Sequence, residues 1–186
     1  MTKTKRERSA DMDIRNRMEQ VVSKENVLTE EPMKQHTTFQ AGGSARLFVM
    51  PRNEVETAQL VRICREESVD WFILGRGSNL LVSDKGYDGV VIWLQKYLNQ
   101  CHTDGTEISA QAGVMLPAVA REAQRCGLSG LEFASGIPGT VGGALTMNAG
   151  AYGGDMSQVV KEAVVLTEDG ALRRMAREEL MLSYRH

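Results

Sequence analysis

The sequence predicts a mixed α/β protein, and three features carry that prediction. Apolar runs at residues 47–50 and 71–74 flank a helical repeat, giving the strand, helix, strand order of an α/β layer. A third apolar run, residues 90–94, reads as another buried strand. Further on, Asp169-Gly170 separates two strand-like segments and marks a hairpin, because this pair tolerates the positive φ angles of a tight turn.

Taken in order, residues 1–12 are polar and lack periodicity, which predicts a disordered leader. Ile14, Met18, Val21 and Val22 fall at i, i+4, i+7 and i+8, the stripe of an amphipathic helix ending near Asn26. Thr29-Glu30-Glu31-Pro32 reads as a connector, since Pro32 has no backbone donor and restrains its predecessor. The strand at 47–50 is closed by Pro51. Asn53 and Glu56 form a capping box ahead of Val55, Ala58, Val61 and Cys64, predicting a helix over 54–67. A second block begins near Cys101, with a strand over 107–112 and a helix over 116–125. Pro117 suits that helix's first turn, and Gly127 lies near its cap.

The chain has 186 residues, and its 22 Lys+Arg against 24 Asp+Glu give a net charge of −2, which attracts no polyanion in bulk. At 42% hydrophobic and 25% charged, it is neither a disordered chain, a coiled coil nor collagen. Aromatics at 5% argue against ligand stacking on rings. No apolar run approaches the roughly 18–20 residues that cross a bilayer. Six cations within the first 17 residues are diluted by Glu7, Asp11 and Asp13, so a solvated leader is expected rather than a nucleic-acid arm. No apolar segment follows them, so no secretory signal is predicted and a cytoplasmic location is expected. Cys64, Cys101 and Cys126 are odd in number and widely spaced, and read as reduced core thiols. His36, His102 and His186 have no ligand spacing, so no metal site is expected.

Three segments concentrate glycine. Gly75-Arg76-Gly77-Ser78-Asn79-Leu80 follows the 71–74 strand, and its glycines permit a sharp turn and close approach of an anion, with Ser78 and Asn79 adding donors. It lacks the Gly-Lys-Ser/Thr ending of a P-loop, and Leu80 stands where a dinucleotide fingerprint has its third glycine. An ordinary strand-ending turn is the alternative. Gly136-Ile137-Pro138-Gly139-Thr140-Val141-Gly142-Gly143-Ala144 offers backbone N–H groups without side-chain bulk, and Asn148-Ala149-Gly150-Ala151-Tyr152-Gly153 continues its character. Interleaved apolar residues distinguish both from flexible linkers, which are polar. A flat or phosphorylated ligand is the expected occupant.

Together with His36-Thr37-Thr38-Phe39 and Gly42-Gly43-Ser44-Ala45, these segments resemble the UDP-N-acetylenolpyruvoylglucosamine reductase family. These are flavoenzymes of bacterial cell-wall synthesis within the vanillyl-alcohol-oxidase-like (PCMH-type) FAD-binding superfamily. The resemblance runs in the family's order from about Asn26 to His186. It implies a two-subdomain FAD-binding fold: a leader and helix over 1–26, a first subdomain over 27–98 and an incomplete second over 99–186. It also implies that Gly75, Arg76, Gly77, Ser78, Asn79 and Leu80 hold the FAD pyrophosphate. Gly136, Ile137, Pro138, Gly139, Thr140, Gly142, Asn148, Ala149, Gly150 and Tyr152 would line the rest of the cofactor. FAD would be noncovalent, since no His or Cys lies in these segments. NADPH would supply the hydride that reaches the enolpyruvyl ether of UDP-GlcNAc. Arg185 would stabilise the negative charge at the substrate carboxylate, with Tyr184 beside it as a substrate contact. The family's C-terminal substrate domain, with its Ser and Glu, has no counterpart before His186, so a monomeric full-length enzyme and an inactive FAD-binding fragment are expected. An oxidase-type flavoprotein or FAD module, and a flavin-free nucleotide-sugar binder, are the rival expectations.

Overall fold

The computed structural model describes residues 5–183. It opens with α1 (Lys5–Val22) and a 3-10 turn (Lys24–Asn26), followed by β1 (Val27–Pro32), a second 3-10 turn (Met33–Gln35), β2 (Ser44–Val49), α2 (Glu54–Glu66), β3 (Trp71–Leu74) and β4 (Tyr87–Trp93). These strands form one sheet in the order β1-β2-β4-β3, with β1 antiparallel to β2, and with β2 and β3 both parallel to β4. The strands joined by α2 are therefore not neighbours, because β4 enters between them. Central β4 is buried through Val90, Val91 and Ile92, as a strand covered on both faces requires.

Alternation along the strands separates two cores. Leu47, Val49, Val90 and Ile92 meet Ile14, Met18 and Val22 of α1 and Leu60, Val61 and Cys64 of α2. On the other face Phe48, Leu74 and Val91 pack with Met33 and Met50, and with half-buried Leu80, Val82 and Trp93. Both long helices thus cover one face, and the loops that leave the strand ends lie over the other.

Beyond residue 100 come β5 (Cys101–Asp104) and β6 (Glu107–Ala110), a hairpin, then α3 (Leu116–Arg125), a 3-10 turn (Glu132–Gly136) and α4 (Val141–Thr146). A second hairpin joins β7 (Gly150–Ala151) to β8 (Gly154–Asp155), and a third joins β9 (Glu162–Leu166) to β10 (Leu172–Ala176). A third core gathers Leu116, Ala120, Phe133, Ala134, Ala144 and Met156, with Ile137, Val141, Leu145 and Ala149 against it.

Several expectations need correction. The leader is helical from Lys5, because the stretch to Val22 contains no Gly or Pro and is rich in Lys, Arg, Glu and Met, all good helix formers. α1 stops at Val22 rather than near Asn26, since Ser23 takes φ 69° and Arg52 Nη2 donates to the Val22 carbonyl at 3.0 Å. The proposed connector at Thr29–Pro32 belongs to strand β1, where Pro32 terminates an edge strand and needs no ladder donor. Of the three free cysteines only Cys64 is buried; Cys101 is exposed and Cys126 half-buried, since both lie on surface elements. Other expectations hold closely. Asn53 Oδ1 accepts from Glu56 N at 2.9 Å, capping α2, and Pro117 sits in the first turn of α3. The Asp-Gly hairpin forms, although only Gly170 takes a positive φ, of 78°.

Candidate functional site

The 75–80 segment leaves the C-terminal end of β3, where its neighbour β4 also ends. Two carbonyls of this turn are engaged. Trp93 Nε1 donates to the Gly75 carbonyl at 3.1 Å, and Thr38 N donates to the Gly77 carbonyl at 3.1 Å. Among the described residues, the backbone amides of Arg76, Gly77, Ser78 and Asn79 carry no hydrogen bond. A turn with these carbonyls taken and consecutive amides available has the donors that an anion nest requires. Gly77 is obligatory there: its φ is 70°, and a Cβ would lie 2.1 Å from the His36 carbonyl oxygen.

Support comes from the core face below. The His36 ring stacks on Phe48 at 4.2 Å and meets Trp93 edge-on at 5.3 Å, while its Nε2 lies 2.8 Å from Glu31 Oε1. The 42–43 pair is wedged equally closely against the next loop, since a Cβ on Gly43 would lie 2.4 Å from the Asp84 carbonyl oxygen.

The second glycine segment meets the first. A Cβ on Gly75 would lie 2.3 Å from Thr140 Oγ1, and one on Gly139 would lie 3.9 Å from Ser78 Oγ. Thr140 is 2% exposed and caps α4, accepting from Gly143 N at 3.4 Å. Here the expectation of available N–H groups fails. Val141 N donates to Val114 O, Gly142 N to Ala112 O and Gly139 N to Ile137 O. Residues 141–146 are helical, and Ile137, Val141 and Leu145 turn inward to the third core, which accounts for the apolar residues among these glycines. What this segment presents is small bulk, with Gly136 and Pro138 exposed.

Asn148 is buried at φ 39°, and its Oδ1 accepts from Ser157 N at 2.9 Å, so it holds the following hairpin in place. Ala149 accepts from Met156 N. Tyr152 at φ 53° and Gly153 at φ 85° make the two-residue turn between β7 and β8. Tyr152 is 97% exposed and borders an open cleft of about 500 Å³ with Glu132, Phe133, Gly154 and Gln158. The structure therefore unites Gly75, Gly77 and Ser78 with Gly139 and Thr140, and sets Gly150 and Tyr152 on a separate hairpin that Asn148 holds from outside it. Tyr184 and Arg185 lie outside the described residues.

Sequence reading missed Trp93 as a contributor. The available signal was a donor-bearing ring closing an otherwise aliphatic strand. No group of three His, Cys, Asp or Glu suited to a metal occurs among the described residues, and no described helix is long and apolar enough to cross a membrane.

FAD fits this arrangement. A diphosphate needs N–H donors and close backbone approach, and the 76–79 amides beside Gly75 and Gly77 offer both.

The resemblance read from the motifs is borne out by sequence relatives. The chain is 47% identical over 177 residues to the UDP-N-acetylenolpyruvoylglucosamine reductase of Alkaliphilus metalliredigens, covering 94% of this chain and 58% of that protein. It is 44% identical over 175 residues to the Clostridium novyi enzyme of the same name, covering 94% and 57%. The chain thus spans little more than half the length of these relatives. Among solved structures, the Thermus caldophilus UDP-N-acetylenolpyruvylglucosamine reductase superposes with a TM-score of 0.67 at 36% identity, covering 86% of this chain and 55% of that one. p-Cresol methylhydroxylase superposes with a TM-score of 0.71 at 16% identity, covering 96% and 39%, and shares the fold. Residues 45–176 match the model of the FAD binding domain family, which is more than half of the chain. By that match, and with a mixed α+β fold of the vanillyl-alcohol-oxidase type, the chain belongs to the FAD binding domain family.

Proposed function

We propose that this chain holds FAD noncovalently, and that the whole protein reduces UDP-N-acetylenolpyruvoylglucosamine to UDP-N-acetylmuramate with NADPH as hydride donor, in peptidoglycan precursor synthesis in the cytoplasm. The observation that carries the reading is the row of available amides from Arg76 to Asn79, with the Gly75 and Gly77 carbonyls turned away and engaged. Identity of 47% to a reductase of that name supports the substrate class.

When bound, the flavin supplies the hydride chemistry, and the protein supplies orientation and electrostatics. In this reading Gly75, Arg76, Gly77, Ser78, Asn79 and Leu80 hold the pyrophosphate. Gly136, Ile137, Pro138, Gly139, Thr140 and Gly142 provide a wall that admits the cofactor because it carries little side-chain bulk, and Asn148, Ala149, Gly150 and Tyr152 close its far end. Arg185 grips the substrate carboxylate, since a guanidinium stays protonated and binds carboxylates bidentately, and Tyr184 contacts the substrate. The two-subdomain division at 98/99 is supported by two cores whose buried residues lie within 14–98 and a third within 116–160, with Ala112 and Leu166 reaching across to pack on the first. A monomer without nucleic-acid partners completes the reading, in keeping with a net charge of −2.

Titration of the 186-residue chain with FAD, followed by quenching of flavin fluorescence, tests this. Saturable one-to-one binding with FMN a poor competitor is expected. A folded chain that leaves the fluorescence unchanged would overturn the assignment.

A further inference from the structure

Trp93 closes β4 one strand away from the 75–77 turn, and its indole N–H reaches the Gly75 carbonyl. Indole nitrogen donates and never accepts, so it can hold a carbonyl but cannot compete for an amide. The Gly75 carbonyl and the Arg76 N–H belong to one planar trans peptide and point in opposite directions. Fixing the first therefore aims the second. At a glycine this plane rotates cheaply, so without the indole it can turn its oxygen toward the ligand side, where it would repel an anion. Thr38 N performs the same service for the next plane but one, holding the Gly77 carbonyl and thereby aiming the Ser78 amide. The indole is itself fixed, edge-on to His36 at 5.3 Å and tilted against Phe48 at 5.7 Å, with His36 anchored to Glu31.

We infer that Trp93 is the positioning residue of the anion nest, locking the 75–76 peptide so that the Arg76 amide faces the diphosphate of the bound dinucleotide. This rests on the reading of FAD binding proposed above.

Trp93→Phe keeps a ring against His36 and Phe48 and removes the donor. The test measures FAD affinity, the phosphorus-31 resonances of bound FAD and thermal melting for the 186-residue chain and its variants. W93F is expected to bind FAD about fivefold more weakly, the scale of one neutral hydrogen bond, with shifted phosphorus resonances and melting within about 3 °C of the unaltered chain. Trp93→His, a ring that retains an N–H, recovers affinity. Trp71→Phe, on β3 and away from the turn, changes neither affinity nor resonances. Unchanged affinity and resonances in W93F overturn the inference. So does a loss shared by W71F, or a W93H chain that regains melting without regaining affinity, since either makes Trp93 a packing residue. Absence of FAD binding by the unaltered chain overturns the functional proposal and this inference together, whereas normal binding with no effect of W93F overturns the inference alone.

Discussion

Gly75 packs its α-carbon directly on Thr140, so closely that a Cβ at position 75 would lie 2.3 Å from the Thr140 hydroxyl oxygen and 3.3 Å from both its carbons. This contact joins the turn at the end of β3 to the cap of α4, and it brings the two glycine segments together. Gly75→Ala alone is expected to cost about 2 kcal/mol through overpacking. Thr140→Ala alone should cost about 1 kcal/mol through the lost cap. In the double variant the clashing hydroxyl is gone, so its cost should fall short of the sum of the two single costs by about 1 kcal/mol. Urea unfolding of the four proteins measures the cycle, and strict additivity would show that the contact is not formed.

A second long-range contact ties the last hairpin to α2. Arg62 Nη2 donates to the Gly170 carbonyl at 3.1 Å, and the arginine stem covers Gly170, which is buried at the β9–β10 turn. Arg62→Ala removes both the bond and the covering stem, at a cost of about 1 kcal/mol. The loss should be local. Hydrogen exchange is expected to quicken at residues 162–176 and to stay unchanged in β2 and β4.

Thiol chemistry should rank the cysteines by environment. Burial pushes the Cys64 thiol up to about 12, so almost no thiolate forms there at pH 8. Cys101 is exposed, although partial burial and then the neighbouring Glu122 and Cys126 raise its pKa as well. Titration of the native chain with a chromogenic disulfide at pH 8 should label Cys101 first and Cys64 only after unfolding. Native labelling of all three at one rate would contradict this placement.

Acid stability should report on Glu122. Arg125, foremost, and then the Thr103 hydroxyl at 3.0 Å hold its carboxyl down at about 2, from an ordinary 4.5. A pKa lowered by folding stabilises above the unfolded value and is lost as the pH falls through the folded one. The contribution is therefore present above about pH 4.5 and disappears between there and about pH 2. Glu122→Gln should flatten the fall of the melting temperature across that window. Parallel curves for the two proteins would assign the acid sensitivity elsewhere.

Much of the fold was legible because its signals are local. The Asn53 cap, the apolar repeat of α2, Pro117 in α3 and the Asp-Gly hairpin each depend on neighbours a few residues away, and each formed where the sequence placed it. β1 was hidden because Thr29-Glu30-Glu31-Pro32 is polar and ends in proline, which only pairing with β2 makes a strand. α4 was hidden because Gly142 and Gly143 are poor helix formers, and their helix is held by Thr140 and by the carbonyls of Ala112 and Val114.

For the site the division is equally physical. By itself the sequence determined which backbone could turn sharply without side-chain bulk, since glycine content fixes that freedom locally, and its motifs in order pointed to the family. Tertiary structure alone decided which amides were left without an internal partner. The N–H groups of Gly139, Val141, Gly142 and Gly143 are engaged by Ile137, Val114, Ala112 and Thr140, whereas those of residues 76–79 carry no internal hydrogen bond among the described residues, and Trp93 and Thr38 orient the 75–76 and 77–78 peptides by taking the carbonyls of Gly75 and Gly77. A backbone group's partner is chosen by whatever segment the packed sheet brings beside it, and periodicity along the chain records burial without recording that partner.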